Sequence, residues 1–150
     1  SRGLGDVYKR QGYVMVGTVD LDRSAKFYAA VLAPLGLNEV ERTDSYIGYA
    51  ETSELGEIEF YVTLPFNQKT ATSGNGTMVA IKAPSVQAVN SFHEIAIKNG
   101  GIDEGAPGLR PEESNVYYAY MRDLDGNKIC AYCSHKILQE KDEKPTIPRS

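Results

Sequence analysis

Histidine is nearly missing from this 150-residue chain, which carries two, and so are cysteine, at two, and tryptophan, at none. No apolar run approaches the roughly 20 residues that cross a bilayer, and no secretory h-region precedes a small-residue cleavage site. The expected setting is therefore the cytoplasm, with no membrane partner. Positive charge is also short: the formal net charge is −4, which argues against a general nucleic-acid binder. What is present is ordinary for one folded domain, with 41% hydrophobic and 24% charged residues. Tyrosine is the exception, at ten.

The two cysteines, Cys130 and Cys133, form a Cys-x-x-Cys pair. A redox pair needs a helix N-terminus to lower the thiol pKa. Here Ile129–Ser134 alternates like a strand, where neighbours three apart point to opposite faces, so no disulfide is expected. Zinc would need two more soft or imidazole ligands, and only His93 and His135 are on offer. His93 follows Phe92 in an amphipathic pattern and reads as a surface or satisfied helix residue.

Ser1 to Gln11 lack periodicity and begin without Met; with Gly12 they are expected to be a non-native or disordered leader (1–12). The domain is expected at 13–134, with halves 13–64 and 76–134, followed by a charged tail at 135–150. In the first half, Tyr13–Val19 reads as a strand, Asp20 or Asp22 caps a helix, and Phe27, Tyr28, Val31 and Leu32 form its apolar stripe. Pro34 and Gly36 end it. Strands are predicted at Leu37–Arg42, Tyr46–Glu51 and Glu57–Leu64, with turn residues including Gly56 between them.

After a polar linker from Pro65 to Gly76, Thr77–Ala83 reads as a strand, and Ser85 caps a helix running to about Lys98. Gly100-Gly101 stops it. Gly105 to Pro111 reads as a loop, Val116–Met121 and Lys128–Ser134 as strands, joined by the turn Asp125-Gly126-Asn127. The halves repeat: shifting the chain by 65 positions places Val14 on Val79, Val16 on Ile81, Phe27 on Phe92 and Gly36 on Gly101. One offset superposes a strand, its helix and the helix stop. The expectation is an α+β fold of two paired βαβββ modules.

The string Val19-Asp20-Leu21-Asp22-Arg23-Ser24, then Phe27-Tyr28 and Leu32-Ala33-Pro34-Leu35-Gly36-Leu37, resembles the vicinal oxygen chelate superfamily of glyoxalases, bleomycin-resistance proteins and extradiol dioxygenases. Gly105-Ala106-Pro107-Gly108 and Tyr117 through Asn127 agree. The resemblance spans residues 13 to 134. It implies a mixed sheet curled around a cup with the helices outside, and a divalent metal acting there as a Lewis acid. It also implies ligands of the His, His, Glu type, at positions that carry Tyr13, Met78 and Cys130 here. A further ligand used by some members falls near Glu59. None of the three is the usual donor, so no metal or other cofactor is expected. A homodimer is implied as possible.

Strand parity assigns the cup. Tyr13, Met15 and Gly17 are expected inward, as are Met78 and Ala80, and Glu59 and Tyr61. Cys130 and Tyr132 follow on the last strand, with Tyr118 and Tyr120 also expected to touch ligand. Ile58, Phe60 and Val62 are expected to face the helix. The tyrosines either stack a planar ligand or simply suit strands with one wet face. Glu59 is the candidate catalytic base, its pKa raised by desolvation, or else it pairs with Arg110, Arg122 or Lys82. Arg110 could clamp a carboxylate or phosphate, or stay solvated. The function expected is a metal-independent small-molecule-binding protein. The alternative is a lactoylglutathione-lyase-like enzyme using Glu59 with a noncanonical metal.

Overall fold

The computed structural model describes residues 10–51 and 57–134. The order is β1 (Val14–Gly17), α1 (Leu21–Leu32), a 3-10 turn (Ala33–Leu35), β2 (Asn38–Arg42), β3 (Tyr46–Ala50) and β4 (Phe60–Thr63) in the first half. The second half holds β5 (Val79–Lys82), α2 (Val86–Lys98), β6 (Ile102–Leu109), β7 (Tyr117–Arg122) and β8 (Lys128–Cys133). The two halves are βαβββ modules with the same wiring: β1-β4-β3-β2 in one sheet and β5-β8-β7-β6 in the other. In each, the first strand pairs parallel with the last and the remaining pairs are antiparallel. The β-structure is therefore two four-stranded sheets, not one closed sheet.

Both helices start as the sequence leads one to expect. The Asp20 carboxylate accepts from the Arg23 N–H at 3.0 Å, and Ser85 Oγ accepts from the Ala88 N–H at 3.1 Å. Proline in the 3-10 turn and Gly36 at φ 80° end the first. Each helix lies on the side of the sheets away from the cup. Phe27, Tyr28, Val31 and Leu32 meet Val16, Ile47, Tyr49, Phe60 and Val62 in a core continuous with Val89, Phe92, Met121 and Ile129 of the second half. Full burial of such side chains contributes about 1.5–3 kcal/mol each, so the shared core binds the halves into one unit. Among the described residues no helix is long and apolar enough to cross a membrane.

Three expectations need correction. Gly105 to Leu109 is not a loop but the second part of β6, with register shifts between Asp103 and Gly105 and between Gly105 and Gly108. Bulges on an edge strand accommodate the glycines, and Pro107, which has no N–H to donate, is tolerated there. The strand over Glu57–Leu64 is regular only from Phe60: the Glu59 N–H donates to Tyr49 O at 2.9 Å although Tyr49 pairs with Phe60. That bulge breaks alternation, and Ile58 lies against the cup-side Cβ direction of Gly48 instead of facing the helix. The remaining strand bounds differ from those expected by at most two residues at either end. Gly56, the residues numbered 1–9 and the tail at 135–150 lie outside the described residues.

Candidate functional site

Alternation creates the site. On β7 and β8 the residues Ala119, Met121, Ile129, Ala131 and Cys133 are all fully buried toward the helix. The opposite face of the same strands carries Tyr118, Tyr120 and Arg122 beside Tyr132, Cys130 and Lys128. On β5, Ala80 pairs with Cys130 and Lys82 with Tyr132, so they join that cup face. Cys130 and Cys133 are not joined in a disulfide and lie on opposite faces, as strand geometry requires.

The tyrosines of the second sheet form a ladder. Tyr118 and Tyr120 stack with centroids 5.7 Å apart and planes at 8°, and Tyr118 stacks on Tyr132 at 5.9 Å. Gly105 pairs with Tyr120, and a Cβ there would come within 2.7 Å of the Tyr120 ring. Absence of that side chain lets the ring lie flat across β6. Arg110 closes the same end. Its guanidinium donates to Ala106 O at 2.6 Å and Tyr118 O at 3.1 Å, and its central carbon sits 5.3 Å from the Tyr120 centroid. The Lys128 ammonium lies 5.4 Å from the same centroid. Burial pushes the Cys130 thiol up to about 11, an effect that Arg110 and Lys128 partly offset.

The first sheet presents a second aromatic cluster. Tyr61 makes edge contacts with Tyr13 at 4.9 Å and Tyr46 at 5.4 Å. Met15 pairs with Tyr61, and Glu41 pairs with Gly48 on the same face. Desolvation first and Glu41 second hold the Tyr46 and Tyr61 hydroxyls above their ordinary pKa. Tyr13 at 58%, Met15 at 50% and Met78 at 43% exposure show that both cup faces open outward in a single chain. Two surface clefts of about 420 and 450 Å³ lie against the N-terminal half of α1, away from these faces.

The structure thus gathers Tyr118, Tyr120, Tyr132, Cys130 and Arg110 on one face, and Tyr13, Met15 and Tyr61 on another. Met78 directly precedes β5. Glu59 stands at the bulge, half-buried, where parity no longer fixes its direction. Arg122 is paired with Glu104 at 3.2 Å. His93 is a partly buried helix residue joined to Asp103 at 2.8 Å, and that bond is the main cause holding the Asp103 carboxyl low. Tyr46, Glu41 and Lys128 join these faces without having been expected there, although the parity of Tyr61 and Cys130 extends to them.

Tyr13, Met78 and Cys130 supply a phenol, a thioether and a buried thiol. That is not a donor set for a hard or borderline divalent ion, which takes imidazole and carboxylate. No group of three or more His, Cys, Asp or Glu side chains converges among the described residues. These three positions therefore do not fit the metal that the fold family uses, and they support no reaction step through one.

A crystal structure of a glyoxalase/bleomycin resistance protein from Albidiferax ferrireducens is similar, with 40% identity, a TM-score of 0.72, and coverage of 82% of this chain and 97% of that one. A glyoxalase-related enzyme from Fulvimarina pelagi shares the fold at 20% identity, TM-score 0.64, over 84% of this chain and 88% of that one. Glyoxalase I from Zea mays does so at 23% identity and TM-score 0.65, over 84% of this chain but 46% of the longer maize chain. No curated protein sequence matches. The profile of the Glyoxalase/Bleomycin resistance protein/Dioxygenase superfamily matches residues 10–131, and the chain belongs to that superfamily.

Proposed function

We propose that this protein binds a small molecule in its cup without a resident metal, and that a second copy supplies the facing wall. The observation that carries the reading is the replacement of metal donors by Tyr13, Met78 and Cys130 within otherwise aromatic faces. Tyrosine faces offer stacking area with hydroxyls for orientation, the usual makeup of a binding concavity. The second copy is supported by charge. One cup face carries Glu41 and the other carries Arg110, Lys82 and Lys128, so the first face of one copy complements the second face of another.

The test is elemental analysis after incubation with nickel, cobalt, zinc, iron and manganese and thorough desalting. No retained metal is the expected result. About one ion per chain would overturn the reading and favour a lactoylglutathione-lyase-like enzyme with Glu59 as base and a noncanonical metal.

A further inference from the structure

We propose that the cup face of the second sheet is a subsite for a flat aromatic ring bearing an acidic group. The inference rests on the small-molecule reading above and names the ligand class.

Register builds the subsite. Cys130 lies between Tyr120 on one neighbouring strand and Ala80 on the other; Cys130 is fully buried, so the exposed, short Ala80 alone forms the floor beside it. Tyr132 and Tyr118 stand beside that floor one pair further along, with Lys82 next to Tyr132. A ring laid on Ala80 would pack beside the tyrosine ladder, in which Tyr118 stacks on Tyr120 of its own strand and on Tyr132 of the next.

Charge selects the substituent. Two cations, Arg110 and Lys128, sit 5.3 and 5.4 Å from one ring centroid. Among the described residues neither is in an ion pair, although the Asp103 carboxylate, held low first by His93, also feels Arg110. The bonds of Arg110 to Ala106 O and Tyr118 O hold the guanidinium in place but neutralise nothing. Both cations act on the Cys130 thiol, so their field converges beside the floor. Like charges held close are relieved by an anion, and a charge-assisted bond to it is stronger than one to a neutral group. A cationic ligand would add a third like charge.

The test compares 2-naphthoate, 2-naphthamide and 2-naphthylmethylammonium by titration calorimetry on the full chain. The carboxylate is expected to bind about tenfold tighter than the amide, with the ammonium weakest. Lys128→Gln should cut the advantage of the carboxylate over the amide several-fold, Arg110 keeping the rest. Ala80→Phe, at an exposed position, should fill the floor and weaken the carboxylate and the amide together. Equal binding of carboxylate and amide, or a preference left undiminished by Lys128→Gln, overturns the acidic ligand and leaves the wider reading standing. Binding unaffected by Ala80→Phe overturns the location. If no probe binds, the subsite is rejected, while metal retention judges the wider reading separately.

Discussion

The Tyr28 hydroxyl donates to the Asp123 carboxylate at 2.5 Å, a buried bond that joins α1 of one half to the β7–β8 turn of the other. Asp123 also accepts from Asp125 N, Asn127 N and Asn127 Nδ2, so its charge is solvated by the protein. Tyr28→Phe removes one bond to a buried anion and should cost about 1.5–3 kcal/mol. Urea unfolding checks this; a cost near zero would show that the bond does not tie the halves.

Tyr49 is the contrasting case. Its hydroxyl is buried and, among the described residues, has no hydrogen-bond partner. Tyr49→Phe should therefore be neutral or stabilising by about 1 kcal/mol, because a desolvated orphan is removed. Burial raises the pKa of both tyrosines. Folded pKa values above the unfolded value of about 10 mean that this stability is fully present below pH 10 and lost above it. Wild type should lose stability steeply above pH 10, and Tyr49→Phe should lessen that slope in alkaline denaturation curves.

Asp125 gathers the first turn of α1. It accepts from Thr18 Oγ1 at 2.6 Å, Val19 N at 3.0 Å and Arg23 Nη2 at 3.0 Å, with its own side chain only 6% exposed. Asp125→Ala strands these donors and should cost about 2–4 kcal/mol. Asp22→Ala, whose side chain is 90% exposed beside Arg42, should cost less than about 0.5 kcal/mol. Thermal melts of the two variants decide; equal losses would contradict the assignment.

Cys130 should be a slow nucleophile. Its thiol is fully buried and held at about 11, so little thiolate exists near neutrality. Alkylation by iodoacetamide in the native state should lag behind the unfolded chain by at least about tenfold at pH 8. The rate should climb toward pH 11. Rapid native labelling of Cys130, located by peptide mass, would refute its burial beside the cup floor.

Self-association should depend on the cup faces. Met15 is half-exposed beside Tyr61 on β1, an edge strand. Met15→Lys places a charge there without touching the helix-side core and should shift a dimer toward monomer in sedimentation at micromolar concentration. A wild type that is monomeric at all concentrations would remove the second wall from the proposed function.

Much of the fold is legible in the chain because it is local. The Asp20 and Ser85 caps, the Gly36 stop, and the inward Cys130 beside outward Ile129 all follow from residues a few positions apart. The lapses occur where alternation is interrupted. Glycine richness makes β6 resemble a loop, since its stability as a strand comes from pairing with β7 rather than from its own residues. The Glu59 bulge likewise depends on Tyr49, on another strand, and it reverses Ile58.

By itself, then, the sequence determined two repeated βαβββ modules and which face of each strand is apolar, because period and capping are written in neighbouring residues. Only the tertiary structure decided that Arg110 lies over Tyr120, that Lys128 shares that ring, and that Asp123 and Asp125 lock the halves together. Those conjunctions depend on register and on partners as many as 107 residues apart along the chain. No local period records which distant side chain will fill the space a glycine leaves.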